Sequence, residues 1–261
     1  MVVFFDIDGT LVDEATQVIP ESAVCAVKKL EKNGHLAVVN TGRPFCHIDP
    51  RVQEIPFSAW ICGCGMEIWF RGQRIHHVRL RSELCGYVRD SVRECGMQVM
   101  YETERGMLLA DGIHSRHPMA LEESRRMAEK GVPTLEIDAL PQLEFMKFMS
   151  YDCPGCNRTE FTRRMAPYFD AVDRGFGRLE FMKKGCSKST GISVLMQYLG
   201  ASWEDTLAIG DSTNDLSMFR MVRHSACMGD GMDELKAASE LITDTVLGNG
   251  VEKALRHFGL I

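Results

Sequence analysis

The residues from Val2 to Ile7 constrain this chain most: they form a short apolar run, rich in β-branched and aromatic side chains, broken by Asp8-Gly9-Thr10. Apolar side chains on both faces suit a strand buried within a parallel sheet, and the break marks where the strand gives way to a loop. Asp6 and Asp8 therefore sit at its C-terminal end. Side chains two apart in extended backbone point the same way, so both carboxylates can flank one bound group.

The rest of the chain repeats that grammar. Pro20 opens a helix whose apolar positions Ala23, Val24, Val27 and Leu30 recur at helical spacing, and Asn33-Gly34 closes it. A strand over His35 to Asn40 runs into Thr41-Gly42-Arg43, and a strand over Ala59 to Ile61 meets the glycine-rich Cys62-Gly63-Cys64-Gly65. After Lys188, a helical stripe of Ile192, Leu195, Met196 and Leu199 ends at Gly200. Thr206 to Ile209 is a strand ending in Gly210-Asp211-Ser212-Thr213-Asn214-Asp215, with further strands over Ser225 to Met228 and Glu240 to Thr243. Strands alternating with helices predict an α/β core with a Rossmann-like, doubly wound parallel sheet, its ligands in the crevice at the strands' carboxyl ends. This core spans residues 1–81 and 185–261.

Between them, over 82–184, the alternation is less regular. A helix-like run from Ser82 ends near Gly96, strand-like pieces follow at Met97 to Tyr101, Met107 to Ala110 and Leu143 to Met149, and Asn157 with Glu160 has the pattern of a capping box. This stretch is expected to be an inserted α+β domain.

Composition narrows the class of function. A net charge of −6 gives no basic field for a polyanion such as nucleic acid, so a small, locally recognised substrate fits better. No stretch reads as a membrane span, and the N-terminus lacks a basic-then-apolar export pattern. The ten cysteines are then expected to be reduced thiols of a cytoplasmic protein. Cys153-Pro154-Gly155-Cys156 has the spacing of a zinc knuckle or redox pair, yet it lacks the four ligands of a structural zinc site and reads as thiols in a turn. Oligomeric state has no signature here.

Three strand ends carry Asp6 with Asp8, Thr41, and Asp211 with Asn214 and Asp215. Two like charges about 4 Å apart repel by on the order of 4 kcal/mol at an effective dielectric of about 20. Something cationic must offset that, and an oxygen-only set suits magnesium better than zinc. Phosphate-ester hydrolysis follows as plausible chemistry: Asp6 attacks phosphorus, while Asp8, protonated where negative charge and burial favour it, protonates the leaving alkoxide and then activates water.

At this point the residues resemble the haloacid dehalogenase superfamily, and within it the Cof-type phosphatases with a large α/β cap of the C2B type. The likeness rests on Phe5-Asp6-Ile7-Asp8-Gly9-Thr10-Leu11, Thr41-Gly42-Arg43, Lys188 in Gly185-Cys186-Ser187-Lys188-Ser189, and Gly210-Asp211-Ser212-Thr213-Asn214-Asp215, in that order along nearly the whole chain. The resemblance implies that Asp6 is nucleophile and metal ligand, that Asp8 is acid-base and binds Mg²⁺ through its carbonyl, that Asp211 is the third protein ligand, and that Asp215 orients the metal shell. It further implies that Thr41, Gly42, Lys188 and Asn214 hold the phosphate, with Gly9 letting the loop turn close to it. Thr10 is equally suited to capping the turn and to touching ligand.

Arg43 and Lys147 are candidates to contact substrate, Arg43 being equally suited to a structural ion pair. The insert is expected to act as a lid that sets specificity, sugar phosphates being the commonest substrates the resemblance implies. Relatives commonly carry Asn-Gly where this chain has Cys64-Gly65, and Gly-Asn-Ala where it has Gly229-Asp230-Gly231. Two other functions fit the same motifs: a phosphomutase of the superfamily, and a phospho-ligand binding protein without turnover.

Overall fold

A computed structural model describes residues 1–109, 117–136 and 142–261. They divide into two compact units, one of residues 1–43, 51–77 and 187–261, the other of 44–50 and 78–186.

The first unit begins with β1 (Val2–Phe5), α1 (Glu21–Lys32), β2 (Leu36–Asn40), α2 (Pro50–Gln53), β3 (Ala59–Cys62), β4 (Glu67–Phe70) and β5 (Gln73–His77). The second contains α3 (Ser82–Glu94), β6 (Gln98–Thr103), β7 (Gly106–Leu109), α4 (Pro118–Glu129), β8 (Thr134–Glu136), β9 (Lys147–Tyr151), α5 (Arg158–Met165), β10 (Phe169–Asp173) and β11 (Arg178–Lys183). The chain then returns to the first with α6 (Lys188–Leu199), β12 (Thr206–Gly210), α7 (Leu216–Phe219), β13 (His224–Cys227), α8 (Asp233–Ala237), β14 (Leu241–Ile242) and α9 (Gly250–His257).

All four side chains of β1 are buried, as its unbroken apolar run requires. Val2 and Phe4 pack with Ile192 and Leu195 of α6, so Val3 and Phe5, pointing the other way, serve the opposite face. There α1 packs on β2 and on α9. Helices thus cover both faces of the sheet.

Strand order in this sheet is β14-β13-β12-β1-β2-β3-β4-β5, parallel from β14 to β3 and antiparallel through the last two. The chain runs outward from β1 through β2 to β3, then restarts at β12 on the other side of β1 and runs outward again. The reversal lies between β1 and β12, and a crevice opens at such a point in doubly wound sheets. Asp6 follows β1 and Asp211 follows β12. The α/β core with a parallel, doubly wound sheet is as expected from sequence.

The second unit is a six-stranded sheet in the order β10-β11-β9-β6-β7-β8, antiparallel except between β7 and β8. Phe148 on β9 stacks on Phe181 of β11 at 4.8 Å and anchors its core with Tyr101, Phe161 and Phe169. The strand expected over Leu143 to Met149 instead begins at Lys147; Leu143 and Phe145 are buried core residues outside any strand. Gly106–Leu109 covers most of the strand expected at Met107 to Ala110, whose last residue lies outside the described residues. Asn157 caps α5, its side-chain oxygen accepting the Glu160 N–H at 3.0 Å. Among the described residues no helix is long and apolar enough to cross a membrane.

Candidate active site

Lys188 is the centre of the site. It is the first residue of α6, placed there by a capping box in which the Ser187 hydroxyl accepts the Thr190 N–H at 3.1 Å and the Ser187 N–H donates to the Thr190 hydroxyl at 2.8 Å. Its ammonium is only 3% exposed and lies 2.8 Å from Asp6 Oδ1 and 2.6 Å from Asp215 Oδ1, with Asn214 Oδ1 at 3.3 Å. Burial opposes its charge, but Asp215 and Asp6 outweigh that and hold the ammonium above its usual range.

Asp215 is fully buried and has partners on both oxygens. While Oδ1 takes Lys188, Oδ2 accepts the N–H groups of Asp211 and Ser212 at 3.1 and 3.2 Å. It thereby fixes the loop that carries Asp211. A Cβ on Gly210 would overlap this carboxylate, which explains the glycine at the end of β12.

Asp211 in turn receives the Thr10 hydroxyl on Oδ1 at 3.2 Å. Of the two roles open to Thr10, this bond answers neither: Thr10 tethers the first acid loop to the fourth. Gly9, at φ +71°, serves the same approach, since any Cβ there would run into the Asp211 carboxylate. The sequence reading missed both, because the contact joins residues 201 apart in the chain.

Asp6, Asp211 and Asp215 each bring a carboxylate oxygen within 4.8 Å of the others. One lysine cannot balance three clustered acids, two of them buried and Asp211 partly so. Burial raises Asp6 to about 7, Lys188 pulling it down and Asp215 and Asp8 pushing it up. Burial likewise raises Asp211 to about 8, with Asp6 and Asp215 adding to the rise. An oxygen-only set short of positive charge fits a small hard divalent cation, and offers neither nitrogen nor sulfur to a softer one.

Asp8 stands apart from this cluster. Its carboxylate is a third exposed and is gripped by Arg43, whose Nε reaches Oδ2 at 2.7 Å and whose terminal nitrogen reaches Oδ1 at 2.8 Å. Arg43 is thus in the two-pronged ion pair that a guanidinium fork favours. Thr41 is buried at the end of β2; its N–H donates to the Ile61 carbonyl at 2.9 Å and its hydroxyl accepts the Arg43 N–H at 3.2 Å. The Gly63 and Cys64 N–H groups donate to the carbonyls of Arg43 and Thr41 at 2.8 and 3.1 Å, bracing the loop that includes Gly42.

A sequence profile of the haloacid dehalogenase-like hydrolases matches residues 3–255. The chain belongs to that family. Within the haloacid dehalogenase-like hydrolases it is a Cof-type phosphatase. It is 28% identical to the putative phosphatase YkrA of Bacillus subtilis, over 99% of this chain and 98% of that protein. It is 26% identical to an HMP-PP phosphatase of an Enterobacter species, over 97% of this chain and 92% of that one. The fold is shared with the solved subclass IIB sugar phosphatase BT4131, at a TM-score of 0.81 and 23% identity over 100% and 99% of the two chains. Haloacid dehalogenase-like hydrolases of this kind use a divalent metal, and the acid cluster around Asp211 is where this member can hold one.

Lys147 belongs to the second unit. It is 6% exposed, 2.5 Å from Glu180 and 3.3 Å from Glu102, and Glu180 is also paired to Arg174. Burial works against ionisation of Glu180, but Lys147 and Arg174 overcome it and hold the carboxyl at about 2. A role for Lys147 in contacting substrate would require it to exchange one of these carboxylates for the ligand.

Proposed function

We propose that this protein is a magnesium-dependent phosphatase that hydrolyses phosphate monoesters of small molecules, sugar phosphates foremost, through a phosphoaspartyl intermediate on Asp6. The observation that carries the reading is the Asp6–Lys188 pair, held at 2.8 Å beside Asp211 at the reversal point of the sheet.

Asp6 is the nucleophile: one oxygen is fixed by Lys188, which orients the carboxylate toward phosphorus. Lys188 then shares its charge with the phosphoryl oxygens as they pass from leaving group to Asp6. Thr41, Gly42 and Asn214 supply hydrogen bonds to those oxygens, and Gly9 leaves room for the loops to close round them. Asp6, the Asp8 carbonyl and Asp211 would hold Mg²⁺, with Asp215 fixing the Asp211 loop. The bound metal supplies charge neutralisation and fixes the phosphate's orientation.

Asp8 handles the proton. It delivers one to the alkoxide as the ester bond breaks, and removes one from the water that cleaves the phosphoaspartate. Arg43 sets where its oxygens lie, and the two-pronged grip must loosen for Asp8 to carry that proton. Residues 82–184 are assigned the choice of leaving group. Support for a small sugar-like substrate comes from the solved relative BT4131, a sugar phosphatase; other relatives include an HMP-PP phosphatase and a 5-amino-6-(5-phospho-D-ribitylamino)uracil phosphatase, so a substrate panel includes phosphorylated molecules beyond sugars.

The test is phosphate release from a panel of sugar phosphates, nucleotides and phosphorylated cofactors, with magnesium or with a chelator. Release that needs magnesium is expected. A panel that yields no phosphate under any condition would overturn the reading.

A further inference from the structure

The turn between β9 and α5 carries two thiols that the phosphatase chemistry does not use. Cys156 N–H donates to the Cys153 carbonyl at 3.1 Å, with Pro154 and Gly155 between them and Gly155 at φ +82°. Proline followed by a left-handed glycine is the signature of a type II turn, which keeps its end Cα atoms within about 7 Å. A disulfide bridges Cα atoms roughly 4.4–6.8 Å apart, so the backbone spacing already suits one.

The side chains converge as well. Cys156 Sγ accepts the Cys153 N–H at 3.4 Å, while the Cys153 thiol is engaged as a donor to the Gly96 carbonyl at 3.0 Å, leaving Cys156 the freer of the two to attack first. Burial, with the neighbouring Cys156 adding to it, pushes the Cys153 thiol up. The turn is braced on both sides: Asn157 N–H donates to the Cys95 carbonyl at 2.8 Å, and Arg158 bonds Asp152 at 2.6 Å and Asp173 at 3.1 Å. Both cysteines are partly exposed, whereas Cys62, Cys64, Cys85, Cys95 and Cys227 are buried.

We infer that Cys153 and Cys156 form a dithiol site that reacts with low-molecular-weight disulfides of the glutathione type. The Cys156 thiolate attacks one sulfur of the reagent, forming a mixed disulfide and releasing one small thiolate. Cys153 then loses its proton to solvent and displaces the second, closing the Cys153–Cys156 bond. Two protein thiols are oxidised, the reagent disulfide is reduced to two thiols, and no other reactant is needed.

The full-length protein is equilibrated with oxidised glutathione at about pH 8, where thiolates are populated. Remaining thiols are alkylated and the peptides mapped. The expected result is an intramolecular disulfide within 153–156, with Cys85 and Cys227 alkylated as before. C153S should trap glutathione on Cys156 with no internal bond, and C156S should react at Cys153 on the order of tenfold more slowly. A cross-link from Cys156 to Cys95, or a 153–156 segment no more oxidised than Cys85, would overturn the assignment.

Discussion

Lys188 is buried against two carboxylates, so its removal should be costly twice over. Lys188→Ala should lower turnover by on the order of 10²–10³-fold, as loss of a charge-stabilising donor does, in steady-state assays of phosphate release. It should also destabilise the fold by about 3–5 kcal/mol in urea titrations, because Asp215 is left as an uncompensated buried charge. Arg43→Lys makes a narrower test. The point charge cannot reproduce the two-pronged hold on Asp8, and kcat should fall by roughly tenfold to hundredfold with little change in stability. Asp6, Asp211 and Asp215 were legible in the sequence as acids that follow strands, whereas Lys188 stood out only through the resemblance to the superfamily, a bare lysine saying little by itself. The tether from Thr10 to Asp211, and the clash that makes Gly9 obligatory, were not legible. They exist only once β1 and β12 lie side by side.

Elements differ in how plainly they announce themselves. β1 and β12 are buried on both faces and read as unbroken apolar runs, and α6 has a cap, a stripe and a terminal glycine at φ +61°. β9 was harder, since Lys147 opens it where an apolar residue is expected, and the apolar Leu143 and Phe145 before it drew the expected strand too early. β10 hides for the opposite reason: most of its side chains are exposed, leaving little pattern to read. The buried charges on β6, β9 and β11 give the second unit a pH signature. Glu180, held at about 2, has its folded-state carboxyl depressed below the unfolded value, so its stabilisation is present above the unfolded pKa and drains away as pH falls toward 2. Acid denaturation followed by tyrosine near-ultraviolet and far-ultraviolet signals should show this loss, and Glu180→Gln should flatten the acid limb while lowering stability near neutrality.

For the molecule as a whole, three clustered carboxylates facing one lysine leave the first unit with repulsion that folding alone does not compensate. A cation that binds only the folded state stabilises it by mass action, about 2.7 kcal/mol at a hundredfold excess over the dissociation constant. Magnesium should therefore raise the melting temperature, and Asp211→Asn should abolish most of that rise, both read by calorimetry. The parallel order of the sheet was readable from the alternation of strands and helices, but its reversal beside β1 was not, because nothing local in the sequence says on which side of β1 the strand at Thr206 will pair. That reversal is what brings the first and fourth acid loops together.

The claim that Asp6 carries the phosphoryl group is tested most directly by trapping it. The enzyme, turning over a substrate found in the panel, is quenched in acid, reduced with borohydride and digested. Homoserine in place of Asp6, seen only with substrate and absent from Asp6→Asn, is the predicted result. Phosphate release with an unmodified Asp6, or reduction at a different carboxylate, would contradict the account.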